Sequence, residues 1–267
     1  MPPDDSIPRV GKLVEQLRFQ VRQRVSTKQA GISTYFDKWL FDEFAVSNSN
    51  EVGWLEGFAH RVERGRFERF ASRRANGTEI PDAVMRMSQG TQGPIRWKGL
   101  SLFKSAFDLA LYTNLLGELR PGTIFEIGSG SGASAVWFAD MCKALQIPCH
   151  VVSLDRRPPS VVSAGVTFVR GDCSAISDCI PAAMLIEAAR PVLLIEDAHE
   201  HVGEVLRHFA PYMRVGDRIV VEDSDSKQNL LADFAHESSD AFLVDTLYTD
   251  FFGLNATSAM NSFLVRC

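Results

Sequence analysis

A chain of 267 residues carrying 33 acidic and 28 basic side chains, with a net charge of -5, is not built to be held on nucleic acid by phosphate contacts. Its 45% hydrophobic and 23% charged content suits a buried core and argues against a disordered chain. The length fits one large α/β domain, or one such domain with an appendage.

Residues 1–91 read as a helical N-terminal region that carries substrate choice or oligomer contacts. Its start, Met1-Pro2-Pro3-Asp4-Asp5, is acidic and lacks the apolar centre of a signal peptide. Val10, Leu13, Val14, Leu17 and Val21 follow one helix face. Tyr35, Phe36, Trp39, Leu40, Phe41 and Phe44 form a second apolar run. Arg61, Arg64, Arg66, Arg69, Arg73 and Arg74, interleaved with Phe58, Phe67 and Phe70, form a third. Glu56, Glu63 and Glu68 interrupt that charge, so a solvated helix face is expected there, not an RNA-binding patch.

Residues 92–267 alternate strand and helix. After Trp97-Lys98-Gly99 a helix is predicted over about 101–119, stopped by Arg120-Pro121-Gly122. Strands follow at 123–127, 149–154, 166–170, 192–195 and 218–221. The helices between and after them fall at about 133–145, 175–189, 202–213 and 227–236. Two late strands, 242–247 and 262–265, have only a loop between them, which suggests a hairpin at the end of the sheet. The fold class is therefore α/β, with a mostly parallel, Rossmann-like sheet and one antiparallel strand near the C-terminus. No apolar run approaches the roughly 20 residues needed to cross a bilayer. Cys142, Cys149, Cys173, Cys179 and Cys267 form no CxxC pair and no His-Cys cluster. A disulfide framework and a zinc site are thus not expected, and a cytoplasmic location is.

The chemistry concentrates where strands end. Phe125-Glu126-Ile127-Gly128-Ser129-Gly130-Ser131-Gly132-Ala133-Ser134 follows a strand and opens a helix. Glycines let the backbone bend tightly and approach a ligand. The Gly128-x-Gly130-x-Gly132 spacing differs from the dinucleotide GxGxxG, and Glu126 precedes it by two positions. An acid there suits the ammonium of S-adenosylmethionine better than a pyrophosphate. Asp155, ending the second strand, is placed to accept both ribose hydroxyls. Asp172, with Cys173 after it, is placed either to accept from an adenine amino group or to cap the next helix. Glu196-Asp197-Ala198-His199 and Glu222-Asp223-Ser224 end the next two strands. Glu196, Glu222 and Asp223 suggest an all-oxygen Mg²⁺ site; the alternative is that they cap helices or bind substrate. His199 is the candidate general base, with packing under the adenosyl group as the competing reading.

Trp97-Lys98-Gly99, Asp108, Tyr112, Glu126-Ile127-Gly128, Glu196-Asp197-Ala198-His199 and Val221-Glu222-Asp223, in that order, resemble the cephalosporin hydroxylase/rhamnosyl O-methyltransferase family. The resemblance covers about residues 94–225. It implies a class I S-adenosylmethionine-dependent methyltransferase of secondary metabolism, including antibiotic biosynthesis, that often forms homo-oligomers. It also implies a magnesium site, at positions that here are Glu196, Glu222 and Asp223. The family usually shows Asp-Ser-x-His after the fourth strand, where this chain has Glu-Asp-Ala-His.

The expected cofactor contacts are thus Gly99, Glu126, Gly128, Ser129, Gly130, Gly132, Ser134, Asp155, Asp172, Cys173 and Glu196. The expected reaction is methyl transfer to the oxygen, nitrogen or carbon of a small natural-product acceptor, with no nucleic-acid or membrane partner. Tyr35, Phe36, Trp39, Phe251 and Phe252 are candidate walls of an acceptor pocket, or plain core. An NAD(P)-dependent oxidoreductase on a similar sheet and a non-catalytic oligomerisation module are the alternatives. The first lacks GxGxxG and a Tyr-x-x-x-Lys pair, and the intact glycine loop speaks against the second.

Overall fold

The β-branched runs that alternate with helical stretches become one sheet covered on both faces. The computed structural model describes residues 65–73 and 77–267; the segments read as helical at 10–21 and 35–44, and the aromatics Tyr35, Phe36 and Trp39, lie outside the described residues. Phe67–Cys267 forms one compact unit. Its strands are β1 (Phe67–Glu68), β2 (Ile95–Trp97), β3 (Leu100–Leu102), β4 (Thr123–Ile127), β5 (His150–Asp155), β6 (Val166–Arg170), β7 (Val192–Glu196), β8 (Arg218–Val221), β9 (Phe242–Asp245) and β10 (Phe263–Arg266). Its helices are α1 (Asp82–Ser88), α2 (Ala106–Leu119), α3 (Ala133–Ala144), α4 (Ile176–Cys179), α5 (Ala182–Glu187), α6 (Val202–Phe209), α7 (Gln228–Glu237) and α8 (Thr246–Thr249).

The main sheet has the order β1-β9-β10-β8-β7-β4-β5-β6. Strands β4 to β8 pair in parallel with one another. β10 runs antiparallel between β8 and β9, so the late hairpin expected at the end of the sheet is inserted within it. Among the described residues no helix is long and apolar enough to cross a membrane.

Side chains on a strand alternate between faces. Ile124, Val151, Leu193, Ile195 and Val220 pack with Leu111, Leu115 and Leu116 of α2 and Ala135, Phe138 and Cys142 of α3. Phe125, Ile127, Val152, Leu154, Leu194, Ile219 and Val221 pack with Val205, Leu206 and Phe209 of α6 and Leu231 and Phe234 of α7. This parity decides which carboxylates meet at the strand ends. Glu126 follows Ile124, Asp197 follows Ile195 and Glu222 follows Val220, all toward α2 and α3. Glu196 follows Leu194, toward α6 and α7.

Four local expectations change. Residues 100–102 are a strand of the antiparallel β2–β3 hairpin, not helix. Lys98 at φ 49° and Gly99 at φ 84° turn it, and Ser105 starts α2 only afterwards by accepting from Asp108 N. Part of the arginine run is the edge strand β1, antiparallel to β9. Arg73, expected on a solvated face, is buried and forks onto Asp250 at 2.8 and 2.6 Å, with its Nε donating to Asn261. Pro181 splits the helix expected over 175–189 into α4 and α5.

Candidate active site

Where β4 ends, the chain makes the bend the glycines predict. Gly128, Gly130 and Gly132 all have positive φ, at 106°, 50° and 79°. A Cβ on Gly128 would sit 2.7 Å from the carbonyl of Asp197, so only glycine lets these two strand ends touch. At Gly130 nothing among the described residues lies within 4 Å of such a Cβ; the backbone there borders open space. Gly130 N donates to Asp155 Oδ2 at 3.0 Å, which ties the bend to the end of β5.

A cavity of about 370 Å³ opens over this bend, at the carboxyl ends of β4, β5 and β7. Gly128, Ser129, Gly130, Ser134, Asp155, Asp172 and Cys173 line it, as does His199. Asp172 is also the cap of the turn that follows, accepting from Ser174 N at 2.9 Å. Burial raises the Cys173 thiol to about 11, which keeps it protonated and inert at neutral pH.

Gly99, Glu126, Gly132 and Glu196 are not among the lining residues. Gly99 is spent on the hairpin turn. A Cβ on Gly132 would meet Pro159 and Val161 at 2.7 and 2.8 Å, so that glycine serves packing. Glu126 is fully buried on the α2–α3 face of β4, where Ser153 donates to its Oε2. Burial pushes its carboxyl up to about 7, against the opposing pull of the Lys104 charge.

The metal trio expected at Glu196, Glu222 and Asp223 does not assemble. Glu196 and Glu222 lie on opposite faces of the sheet, and each has its own buried ammonium. Lys104 Nζ donates to Glu222 Oε2 at 2.6 Å and to Asp197 Oδ2 at 2.5 Å, and Tyr112 donates to Glu222 Oε1 at 2.6 Å. Burial pulls the Lys104 ammonium down, but Asp197 and Glu222 outweigh it and hold it above the usual lysine range. Burial and the Asp197 charge raise Glu222. Lys227 Nζ donates to Glu196 Oε2 at 3.1 Å. Among the described residues the groups that do converge are Asp197, His199 and Asp223, each with one ligand atom within 4.8 Å of the others.

Lys104, Asp197, Ser101, Phe103 and Arg156 also line the cavity and went unnoticed as site residues. Lys104 had a signal: it sits just before the capping Ser105, on the side where strand parity sends three acids. The β2–β3 hairpin brings Ser101 and Phe103 over the cavity. It is pinned by Ser131 Oγ donating to Ser101 O at 2.6 Å and by Trp97 Nε1 donating to Asp140 at 2.8 Å.

A second cavity, about 670 Å³, lies between the start of α6 and the turn after β8. Glu204, Arg207, Asp225 and Leu230 are among its walls. His199 and Asp223 line both cavities and form the junction between them.

Residues 90–241, more than half of the chain, match the family described as rhamnosyl O-methyltransferase/CmcI. The chain belongs to that family. The rhamnosyl O-methyltransferase of Mycobacterium tuberculosis (strain ATCC 25618 / H37Rv) is 28% identical over 143 residues, 48% of this chain and 56% of that protein. The enzyme of the same name from Mycobacterium leprae (strain TN) is 29% identical over 138 residues, 48% of this chain and 60% of that protein. The chain therefore matches little more than half the length of these curated relatives. A solved structure titled "cmcI-N160 SAH" is 28% identical with a TM-score of 0.54, covering 66% of this chain and 84% of its own. A second, "cmcI-D160 Mg-SAM", shares the fold at 23% identity and a TM-score of 0.58, over 84% of this chain and 99% of its own. The motifs at Trp97, Glu126, Glu196 and Val221 thus point to the family whose match spans residues 90–241.

Proposed function

We propose that the chain is an S-adenosylmethionine-dependent methyltransferase that methylates a hydroxyl of a small-molecule, natural-product acceptor. The observation that carries this reading is the pair of cavities meeting at His199 and Asp223. One cavity is floored by the glycine bend and walled by Asp155 and Asp172; the other is free for an acceptor. Family membership, and relatives whose names and titles describe O-methyl transfer and bound SAH or SAM, support it.

Adenosylmethionine supplies a methyl group already activated by its sulfonium charge. What is left to the protein is alignment and exclusion of water. The open space at Gly130 admits the donor against bare backbone. Asp155 uses one lone pair on each oxygen for Gly130 N and Arg157 N, which leaves acceptor capacity for ribose hydroxyls. Asp172 stands on the adjoining wall for the base. Arg156 and Glu200, which both line this cavity, pair at 2.9 Å.

For a divalent cation the donor set fits only in part. Asp197 Oδ1 and Asp223 are hard carboxylate ligands, and Mg²⁺ is commonly held by one or two of these plus water. Glu196 and Glu222 lie outside the group of donors that converges among the described residues. When bound, the ion adds positive charge that favours the acceptor's alkoxide.

Titration calorimetry with adenosylmethionine and with NAD tests the reading. Donor binding abolished by Asp155→Ala is expected. Tight NAD binding in its place would return the chain to the oxidoreductase reading.

A further inference from the structure

Lys227 closes the turn that links β8 to α7, and its side chain is only 9% exposed. It donates to Glu222 O at 2.6 Å, to Glu196 Oε2 at 3.1 Å and to His199 Nδ1 at 3.1 Å. An ammonium has three N–H donors and no lone pair. These three acceptors use all of them, so Nδ1 of His199 must be the nitrogen that bears the lone pair. In neutral His199 the proton is then on Nε2, which faces Asp197 Oδ1 at 3.4 Å and Asp223 Oδ2 at 3.6 Å.

The same pair of residues holds the backbone. His199 sits at φ 62°, an uncommon conformation for a side chain of its size, and its N–H donates to Glu196 Oε1 at 3.1 Å. Glu196 therefore fixes the His199 main chain with one oxygen and anchors Lys227 with the other. This gives the buried Glu196–Lys227 pair a task that neither cofactor contact nor metal ligation explains.

We propose that Lys227 is a positioning residue that locks His199 in the Nε2–H tautomer at the junction of the two cavities. So locked, His199 has no free lone pair to take the acceptor's proton. Its Nε2–H instead faces the carboxylates of Asp197 and Asp223, at 3.4 and 3.6 Å. His199 is also no metal ligand, because its Nε2 lone pair is taken by the proton. The consequence for turnover rests on the methyltransferase reading; the tautomer itself does not.

The test is long-range ¹H–¹⁵N correlation of the histidine side chains in the intact ¹⁵N-labelled protein, under conditions where the imidazoles are neutral, with His199 assigned by the signals lost in His199→Asn. In the unsubstituted protein Nδ1 is expected in the unprotonated range and Nε2 in the protonated range. In Lys227→Met both shifts should move toward the averaged values of exchanging tautomers, and Lys227→Arg should restore them in part. Turnover of Lys227→Met should fall on the order of ten- to a hundredfold, with little change in the adenosylmethionine KM. A protonated Nδ1 in the unsubstituted protein overturns the proposal, whether or not the variant folds. Unchanged shifts in a folded Lys227→Met do so too. An intact tautomer in a protein that binds no adenosylmethionine would instead remove the proposed function and leave this inference standing.

Discussion

Two glycines of the same bend should fail in different ways when each is replaced by alanine. At Gly128 the φ of 106° lies beyond the small left-handed region open to L-residues, which costs roughly 1–3 kcal/mol. The new Cβ would also meet Asp197 C and O at 2.7 Å and Ala198 N at 2.8 Å. Those atoms are tethered, by Asp197 N donating to Ile127 O and Ala198 N donating to Glu196 Oε1, so they yield only at a further cost of about 1–3 kcal/mol. Gly128→Ala is therefore expected to lose about 2–6 kcal/mol of a total that is typically about 5–15 kcal/mol. Its Tm should fall by roughly 5–20 °C. At Gly130 the φ of 50° is left-handed but allowed, at about 1–2 kcal/mol, and no atom of the described residues stands within 4 Å. Gly130→Ala should melt within a few degrees of the parent yet bind adenosylmethionine about tenfold or more weakly, because its methyl intrudes where the donor lies. Urea and thermal unfolding, with calorimetry on each variant, check both. A Gly128→Ala protein as stable as the parent, or a Gly130→Ala protein that binds the donor undiminished, would refute the reasoning.

Lys104→Met should cost about 3–5 kcal/mol in urea unfolding, because Asp197 and Glu222 lose the cation between them; adding Glu222→Gln should recover part of that. Equal stability of the single variant and the parent would show that the ammonium is not needed. Glu126 has its folded-state pKa raised from 4.5 to about 7, so its contribution to stability is full below about pH 4.5 and is lost as pH rises toward 7 and beyond. Glu126→Gln, which cannot ionise, should therefore gain on the parent as thermal unfolding is moved from pH 5 to pH 8, and a constant difference would contradict the buried-acid reading. EDTA is expected to lower turnover, and added Mg²⁺ to restore it, while adenosylmethionine affinity stays within about twofold, since Asp155 and Asp172 lie on another wall. Turnover indifferent to EDTA would remove the ion.

Much of this was legible in the sequence because it rests on local rules. The glycine bend, Asp155 and Asp172 follow from where a parallel strand ends, and Ser105 announces a helix start. The strand-end acids, by contrast, do not form the single cluster that their sequence positions suggest. Glu196 and Glu222 are each the last acid of neighbouring strands, but the β7–β8 register pairs Glu196 with Val221, which puts Glu222 one residue on and across the sheet. Reading the parity along Leu194-Ile195-Glu196-Asp197 and Val220-Val221-Glu222 separates them and brings Asp197 to Glu222. The lysines that satisfy them come from distant segments, at 104 and 227, and no local pattern reports which acid each will reach. Lys98-Gly99 is a hairpin turn, and a three-residue strand such as β3 is too short to show its period before a helical stripe begins.

The most direct test of the donor site is the structure of the protein with S-adenosylhomocysteine bound. The account predicts the ribose on Asp155, the glycine bend against the ligand at Gly130 and the sulfur directed toward His199 and Asp223. A nucleoside seated anywhere but over Gly128–Gly130, or a sulfur directed away from that junction, would contradict it.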